Sequence, residues 1–158
     1  MAFPDLRPRR WVKWASCLLL VAAGCAEPPP GQMLAAAPPV PAGEARVWFY
    51  RDWEPAESLN LANIDVNGSY FGSVGNGSAF YRDVPPGRYH IAPVSFGRDV
   101  NQDTDVLLVP GQQLYIKILS LRSWVEGPGR NFRRDTFYAW LIPPEVAQAE
   151  IARDRIGI

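Results

Sequence analysis

Three turn signals crowd into the stretch Leu61–Ile91: Asn67-Gly68, Gly75-Asn76-Gly77 and Pro85-Pro86-Gly87. Asn-Gly between β-prone runs favours a two-residue hairpin turn, because both central residues must take positive φ. Pro-Pro-Gly fixes φ early and frees it late, as a tight turn requires. A chain punctuated this often cannot carry long helices here. It must build short antiparallel strands.

The runs between the turns agree. Ala45–Arg51 is β-branched and aromatic on both faces, which predicts a strand that is covered on both sides. Ala62, Ile64 and Val66 alternate with Asn63, Asp65 and Asn67, giving one dry and one wet face. Further strands are expected at Ser69–Val74, Ser78–Val84, Arg88–Ile91, Asp105–Val109, Leu114–Leu119 and Thr136–Ile142. Ser123–Arg134, with its Gly, Pro and Arg content, reads as a loop. Pro143-Pro144-Glu145 opens a short helix to about Arg155, since proline is tolerated in a first turn and Glu145 suits the positive end of the dipole. The expected fold is all-β, an antiparallel β-sandwich of about seven strands with a short C-terminal helix.

The chain begins differently. Arg7, Arg9, Arg10 and Lys13 precede an apolar run, Ala15–Ala23, too short to span a bilayer. Basic flank, short core and small-residue exit together form a secretory signal. Residues 1–24 are therefore expected to be a signal peptide, 25–43 a flexible tether and 44–158 the folded domain. The tether is rich in Pro and Ala, nearly uncharged and without aromatics. Such a segment favours extended conformation and, at about 3.1 Å per residue, could reach roughly 50 Å.

Ala22-Ala23-Gly24-Cys25 resembles the bacterial lipobox, with Ala22 where leucine is usual. The resemblance implies that Cys25 is acylated, with palmitate among its acyl chains, and becomes the mature N-terminus. Acyl chains hold a protein to a leaflet because each buried CH₂ contributes about 0.8 kcal/mol. Ala26 is not the aspartate associated with inner-membrane retention, so in a Gram-negative host the outer membrane, facing the periplasm, is expected.

Cysteine usage fits export. Cys17 leaves with the signal and Cys25 is modified, so the mature domain has no thiol for a disulfide, a zinc site or a nucleophile. The formal charge of zero conceals a division. The leader carries four bases and one acid, and its removal leaves 12 bases and 15 acids, a net of −3. That balance argues against nucleic acid as a partner.

Arg46-x-Trp48-x-Tyr50-Arg51, Ile64-x-Val66-Asn67-Gly68, Gly72-x-Val74, Asn76-Gly77 and Val84-x-Pro86-Gly87-x-Tyr89 together resemble a family of small bacterial lipoproteins known as a domain of unknown function. The scheme is also similar to PEGA-type surface domains. The resemblance spans about residues 45–120 and implies an envelope-facing β-sandwich. It brings no catalytic residues with it.

Several constellations carry residue types that chemistry uses. Asp99, Asn101, Asp103 and Asp105 have calcium-loop spacing, but Thr104 and Pro110 stand where such a loop needs Gly and Glu. His90 is the sole histidine, so a triad with Ser73 or Ser95 and Asp83 or Asp99 would have to use it; strand alternation puts it on the wet face. One His without a free Cys leaves no ordinary zinc set. Gly72–Gly77 is glycine-rich but lacks the Lys and helix of a phosphate loop. Carboxylate pairs occur at Glu54/Glu57 and Asp103/Asp105. No cofactor or metal is expected.

The aromatics are the stronger excess. Most must be core, but Trp53 and Trp124 fall in expected loops beside charge, as contact anchors do. Arg130, Arg133 and Arg134 flank Phe132. The expected partner-binding residues are Trp53, Trp124, Arg130 and Arg133. The expected function is a lipid-anchored envelope binding or scaffolding module, not an enzyme, contacting an envelope protein or cell-wall glycan. The alternative is an envelope hydrolase using a carboxylate pair on glycan or peptide.

Overall fold

A computed structural model describes residues 34–55, 58–96, 99–127 and 130–153, with backbone alone at 121–127 and 130–135. The expected signal peptide, Cys25 and the first part of the tether lie outside the described residues. Among the described residues there are eight strands: β1 (Ala45–Tyr50), β2 (Ala62–Val66), β3 (Ser69–Val74), β4 (Ala79–Val84), β5 (Gly87–Pro93), β6 (Thr104–Leu108), β7 (Gln113–Gly127) and β8 (Arg130–Ile142). Among the described residues Leu34–Ala36 are helical, and a longer helix, α1, covers Pro144–Arg153. Two four-stranded sheets form, in the orders β4-β1-β7-β8 (sheet A) and β3-β2-β5-β6 (sheet B). The chain is thus the expected sandwich.

Turn chemistry sets the hairpins. Asn67 and Gly68 take φ of 51° and 78°, the left-handed pair that closes β2 onto β3. Long-range pairing does what local turns cannot. β1 lies antiparallel to β4 but parallel to β7, in register from Arg46↔Gln113 to Tyr50↔Lys117.

Between the sheets lies the main core: Val47 and Phe49 from β1, Ile64 from β2, Ile91 from β5, Ile116 and Ile118 from β7. Phe49 stacks on Phe80 at 5.1 Å between centroids and meets Phe71 edge-on at 5.8 Å. Each large apolar side chain buried in this way contributes about 1.5–3 kcal/mol.

A second cluster explains why β1 is apolar on both faces. Trp48, Tyr50 and Tyr115 point out of the sandwich, yet all are buried. Helix α1 covers them with Ala147 and Ile151, one turn apart on one face. Pro144 opens α1 with its fixed φ, and the Pro143 carbonyl accepts from the amides of Val146 and Ala147. Leu34 and Ala37, inside the stretch expected to be an inert tether, also pack against this cluster. Arg46 Nη1 donates to the Pro38 carbonyl at 2.6 Å and holds the segment in place. The extended spacer is correspondingly shorter than the sequence suggests.

The largest departure concerns Ser123–Arg134. This stretch is not a loop but the two arms of one long hairpin, in register from Tyr115↔Ile142 down to Gly127↔Arg130.

Candidate functional site

One end of sheet A gathers the residues singled out for contact. β1 and β7 run in parallel, so the segment leaving Tyr50 emerges where β7 continues toward its tip. β1 pairs with β7 only as far as Lys117. Beyond Leu121, among the described strands, β7 and β8 pair with each other alone.

The root of this arm is held from two sides. Arg51, 1% exposed, sends Nη1 to the Asn60 carbonyl (2.9 Å) and Nη2 to the Ser58 carbonyl (2.9 Å) and Ser120 Oγ (3.2 Å). Its guanidinium also lies over the Phe137 ring, 5.3 Å from the centroid. Ser120 and Phe137 are themselves partners in register. From the other side, Ser95 Oγ accepts from the Phe137 amide at 2.9 Å, and the Ala139 amide donates to the Gln102 carbonyl at 2.8 Å. A buried guanidinium with several acceptors fixes backbone that no strand pairing reaches.

Beside the root lies an ionic cluster. The Lys117 ammonium meets Asp52 and, at 3.1 Å, Glu150 Oε2, which also accepts from the Tyr50 hydroxyl at 2.6 Å. Burial alone would lower the Lys117 ammonium, but hydrogen bonds to Asp52 and Glu150 and their charges outweigh it and raise it. Burial likewise pushes the Glu150 carboxyl up, and it is overcome by the Tyr50 and Lys117 hydrogen bonds and nearby positive charge, leaving it lowered. A lysine held charged by two carboxylates is a clamp for α1, not a nucleophile. Nothing in the local pattern of the sequence marks this cluster, since its members come from the β1–β2 loop, β7 and α1.

Trp53 lies within the arm's end of the sheet and is 37% exposed. Its loop is fixed to the β3–β4 turn. Asn76 Oδ1 accepts from the Glu54 amide at 3.0 Å, and Asn76 Nδ2 donates to the Glu54 carbonyl at 2.8 Å. Gly77, with φ of 71°, lets the turn approach; a Cβ there would stand 3.0 Å from that of Trp53. Trp124 and Arg133 are direct cross-strand partners in register, and Arg130 pairs with Gly127 near the tip. Their side chains, like Cys25, lie outside the described residues. The backbone thus brings three of the four expected contact residues onto one hairpin and sets Trp53 at the same end.

The other constellations are scattered. Asp99 accepts from the Tyr138 hydroxyl at 2.7 Å and from the Val100 amide at 2.8 Å, and these bonds hold its carboxyl below the usual range. Asp103 and Asp105 instead flank His90, at 3.5 Å from Nε2 and 2.9 Å from Nδ1. The calcium-spaced oxygens therefore face different neighbours. Ser73 Oγ donates to Asn63 Oδ1 at 2.7 Å and Ser95 serves Phe137, so neither serine is placed as a nucleophile beside His90. Among the described residues, no group of three or more His, Cys, Asp or Glu is placed to hold a metal ion. A groove of about 480 Å³ runs past His90, Arg88, Asn67, Asp105 and Leu107 on sheet B.

Comparison with known proteins adds a family. No curated protein matches the chain. Among solved structures, the chain is similar to the N-terminal domain of AlgF from P. aeruginosa, at 19% identity over 61% of this chain and 96% of that one, with a TM-score of 0.35. The family model described as "Protein of unknown function (DUF2846)" matches residues 41–128, more than half of the chain, and the chain belongs to that family.

Proposed function

We infer that this chain is a lipid-anchored cell-envelope module that binds or scaffolds other envelope components without catalysing a reaction. Acylated Cys25 would be its anchor, and in a Gram-negative host the outer membrane, facing the periplasm, its site. The observation that carries the reading is the β7–β8 arm. It continues past the last β1 pairing, is clamped at its root by Arg51 and Ser95, and bears Trp124, Arg130 and Arg133. A rigidly rooted element that outruns its own sheet offers surface for a partner at little cost in ordering. The titratable groups support a non-catalytic role, because His90 and Asp99, singled out from the sequence, and Lys117 are each engaged by other side chains.

The test is mass spectrometry of the mature protein taken from its native envelope after crosslinking, beside Cys25→Ser and a Trp53/Trp124/Arg130/Arg133 alanine variant. The reading expects an acyl group on Cys25, and captured envelope components that disappear in the alanine variant. An unmodified Cys25 would remove the anchor. Turnover of cell-wall glycan or peptide that is lost on changing one Asp or Glu would replace binding with hydrolysis.

A further inference from the structure

Charge is unevenly divided over the mature chain. The arm, residues 121–135, carries four arginines (Arg122, Arg130, Arg133, Arg134) against Glu126 and Asp135, a net of +2. The rest of the mature chain carries eight bases against thirteen acids, a net of −5. Trp124 and Phe132 are interleaved with the arginines, and Trp124 stands opposite Arg133 in register.

Geometry separates the two charges. The seven residues Leu121–Gly127 are extended strand, and span roughly 23 Å at about 3.3 Å each. Exposed charges are screened over about 8 Å at physiological salt. A flat anionic surface that meets the arm tip is therefore attracted by the arm and scarcely senses the acidic body behind it.

The docked linker supplies the reach. Leu34 and Ala37 lie on the outer face of sheet A, the sheet from which the arm projects. Only residues 26–33 separate Cys25 from Leu34. Fully extended, they bridge no more than about 30 Å. An anchor at Cys25 would thus keep the domain, and an arm of comparable length, next to the membrane that holds it. At such a short tether length even a weak contact is populated, because the second binding event is intramolecular.

We propose that the β7–β8 arm binds the anionic phospholipid headgroups of the membrane to which the chain is tethered, through Arg130 and Arg133 with Trp124 at the interface. This rests on the reading of the arm as the contact surface, and it names the partner. Arginine near an anionic leaflet contributes about 1 kcal/mol, and tryptophan favours the headgroup level. Together with the acyl group, the arm would fix the orientation of the sandwich.

The experiment is vesicle flotation of the mature Cys25→Ser chain, which has no acyl group. Vesicles of phosphatidylethanolamine with phosphatidylglycerol are compared with vesicles of phosphatidylcholine alone, at low and high salt. The expected result is flotation with the anionic vesicles only, reversed by salt. Arg130→Glu/Arg133→Glu should weaken it about tenfold or more, while Arg130→Lys/Arg133→Lys retains it. Equal urea midpoints for the two double variants would show that the fold is intact, and the lysine variant and the salt dependence carry the test if the glutamates disturb it. No flotation, equal flotation with phosphatidylcholine, or indifference to charge reversal would overturn the proposal. A photocrosslink from position 124 that lands on a protein or glycan, not on lipid, would overturn it as well. Failure of the anchor is read separately, by the mass of Cys25, and leaves the vesicle result standing.

Discussion

Arg46 and Asp83 face each other across β1 and β4, the guanidinium donating Nε to Oδ1 at 2.7 Å and Nη2 to Oδ2 at 2.8 Å. The two ends of this pair are not equivalent. Arg46 is 1% exposed, whereas the Asp83 side chain keeps 20% of its surface in water. Removing the carboxylate strands a buried cation, which costs about 3 kcal/mol or more. Removing the cation leaves a carboxylate that water can reach. Asp83→Ala is therefore expected to lower the urea midpoint further than Arg46→Met does. Arg46→Met should in addition release the Pro38 carbonyl and expose residues 34–38 to protease.

Acid should loosen α1. The Glu150 carboxyl is lowered in the folded protein from its ordinary 4.5, so its contribution to stability is present above that value and is lost as pH falls through the folded value. Lys117 is raised from 10.5 and therefore contributes throughout the neutral and acid range until its partner is protonated. Amide protection in α1, taken relative to the intrinsic exchange rate at each pH, should fall below about pH 4.5, ahead of protection in β1. Glu150→Gln should show faster exchange at pH 7, with a loss of about 1–2 kcal/mol, and a flatter dependence on acid.

Gly72 is required by Phe80. A Cβ on Gly72 would stand 2.6 Å from Phe80 Cζ and 2.8 Å from Cε2, and that ring is stacked on Phe49 in the core. Gly72→Ala should cost about 1–3 kcal/mol, seen as a lower melting temperature. Coupling Gly72→Ala with Phe80→Leu should recover part of the loss, as neighbours that share space do.

Asn76 holds the loop that carries Trp53. Asn76→Ala removes both of its bonds to Glu54 and should cost about 1 kcal/mol. The diagnostic readout is local: faster exchange of the Glu54 amide, with β2 and β5 unchanged. A uniform loss of protection would mean that Asn76 serves the whole fold and not the loop.

Fold class was legible because turn chemistry is local. Asn67-Gly68 closes its hairpin by backbone preference alone, and the apolar double face of Ala45–Tyr50 correctly called for cover on both sides. What provides that cover was not legible, because α1 and Leu34 reach Trp48 and Tyr50 only through tertiary packing. The parallel register of β1 with β7 joins residues some 67 positions apart and leaves no local mark. Ser123–Arg134 misled for a simpler reason. The breaking character of Gly127-Pro128-Gly129 was extended to flanks whose Trp124, Val125 and Phe132 are β-prone and pair as strand. Arg51 and Lys117 carried no local signal of their roles at the root of the arm.

The contact surface is tested most directly by placing a photoreactive residue at Trp53, Trp124 or Tyr70 in the full-length protein, and irradiating cells with the envelope intact. Tyr70 is 68% exposed on β3 of the other sheet and serves as the comparison. The account predicts envelope adducts from positions 53 and 124, those from 124 on lipid, and none above background from 70. Adducts confined to 70, or equal at all three positions, would contradict it.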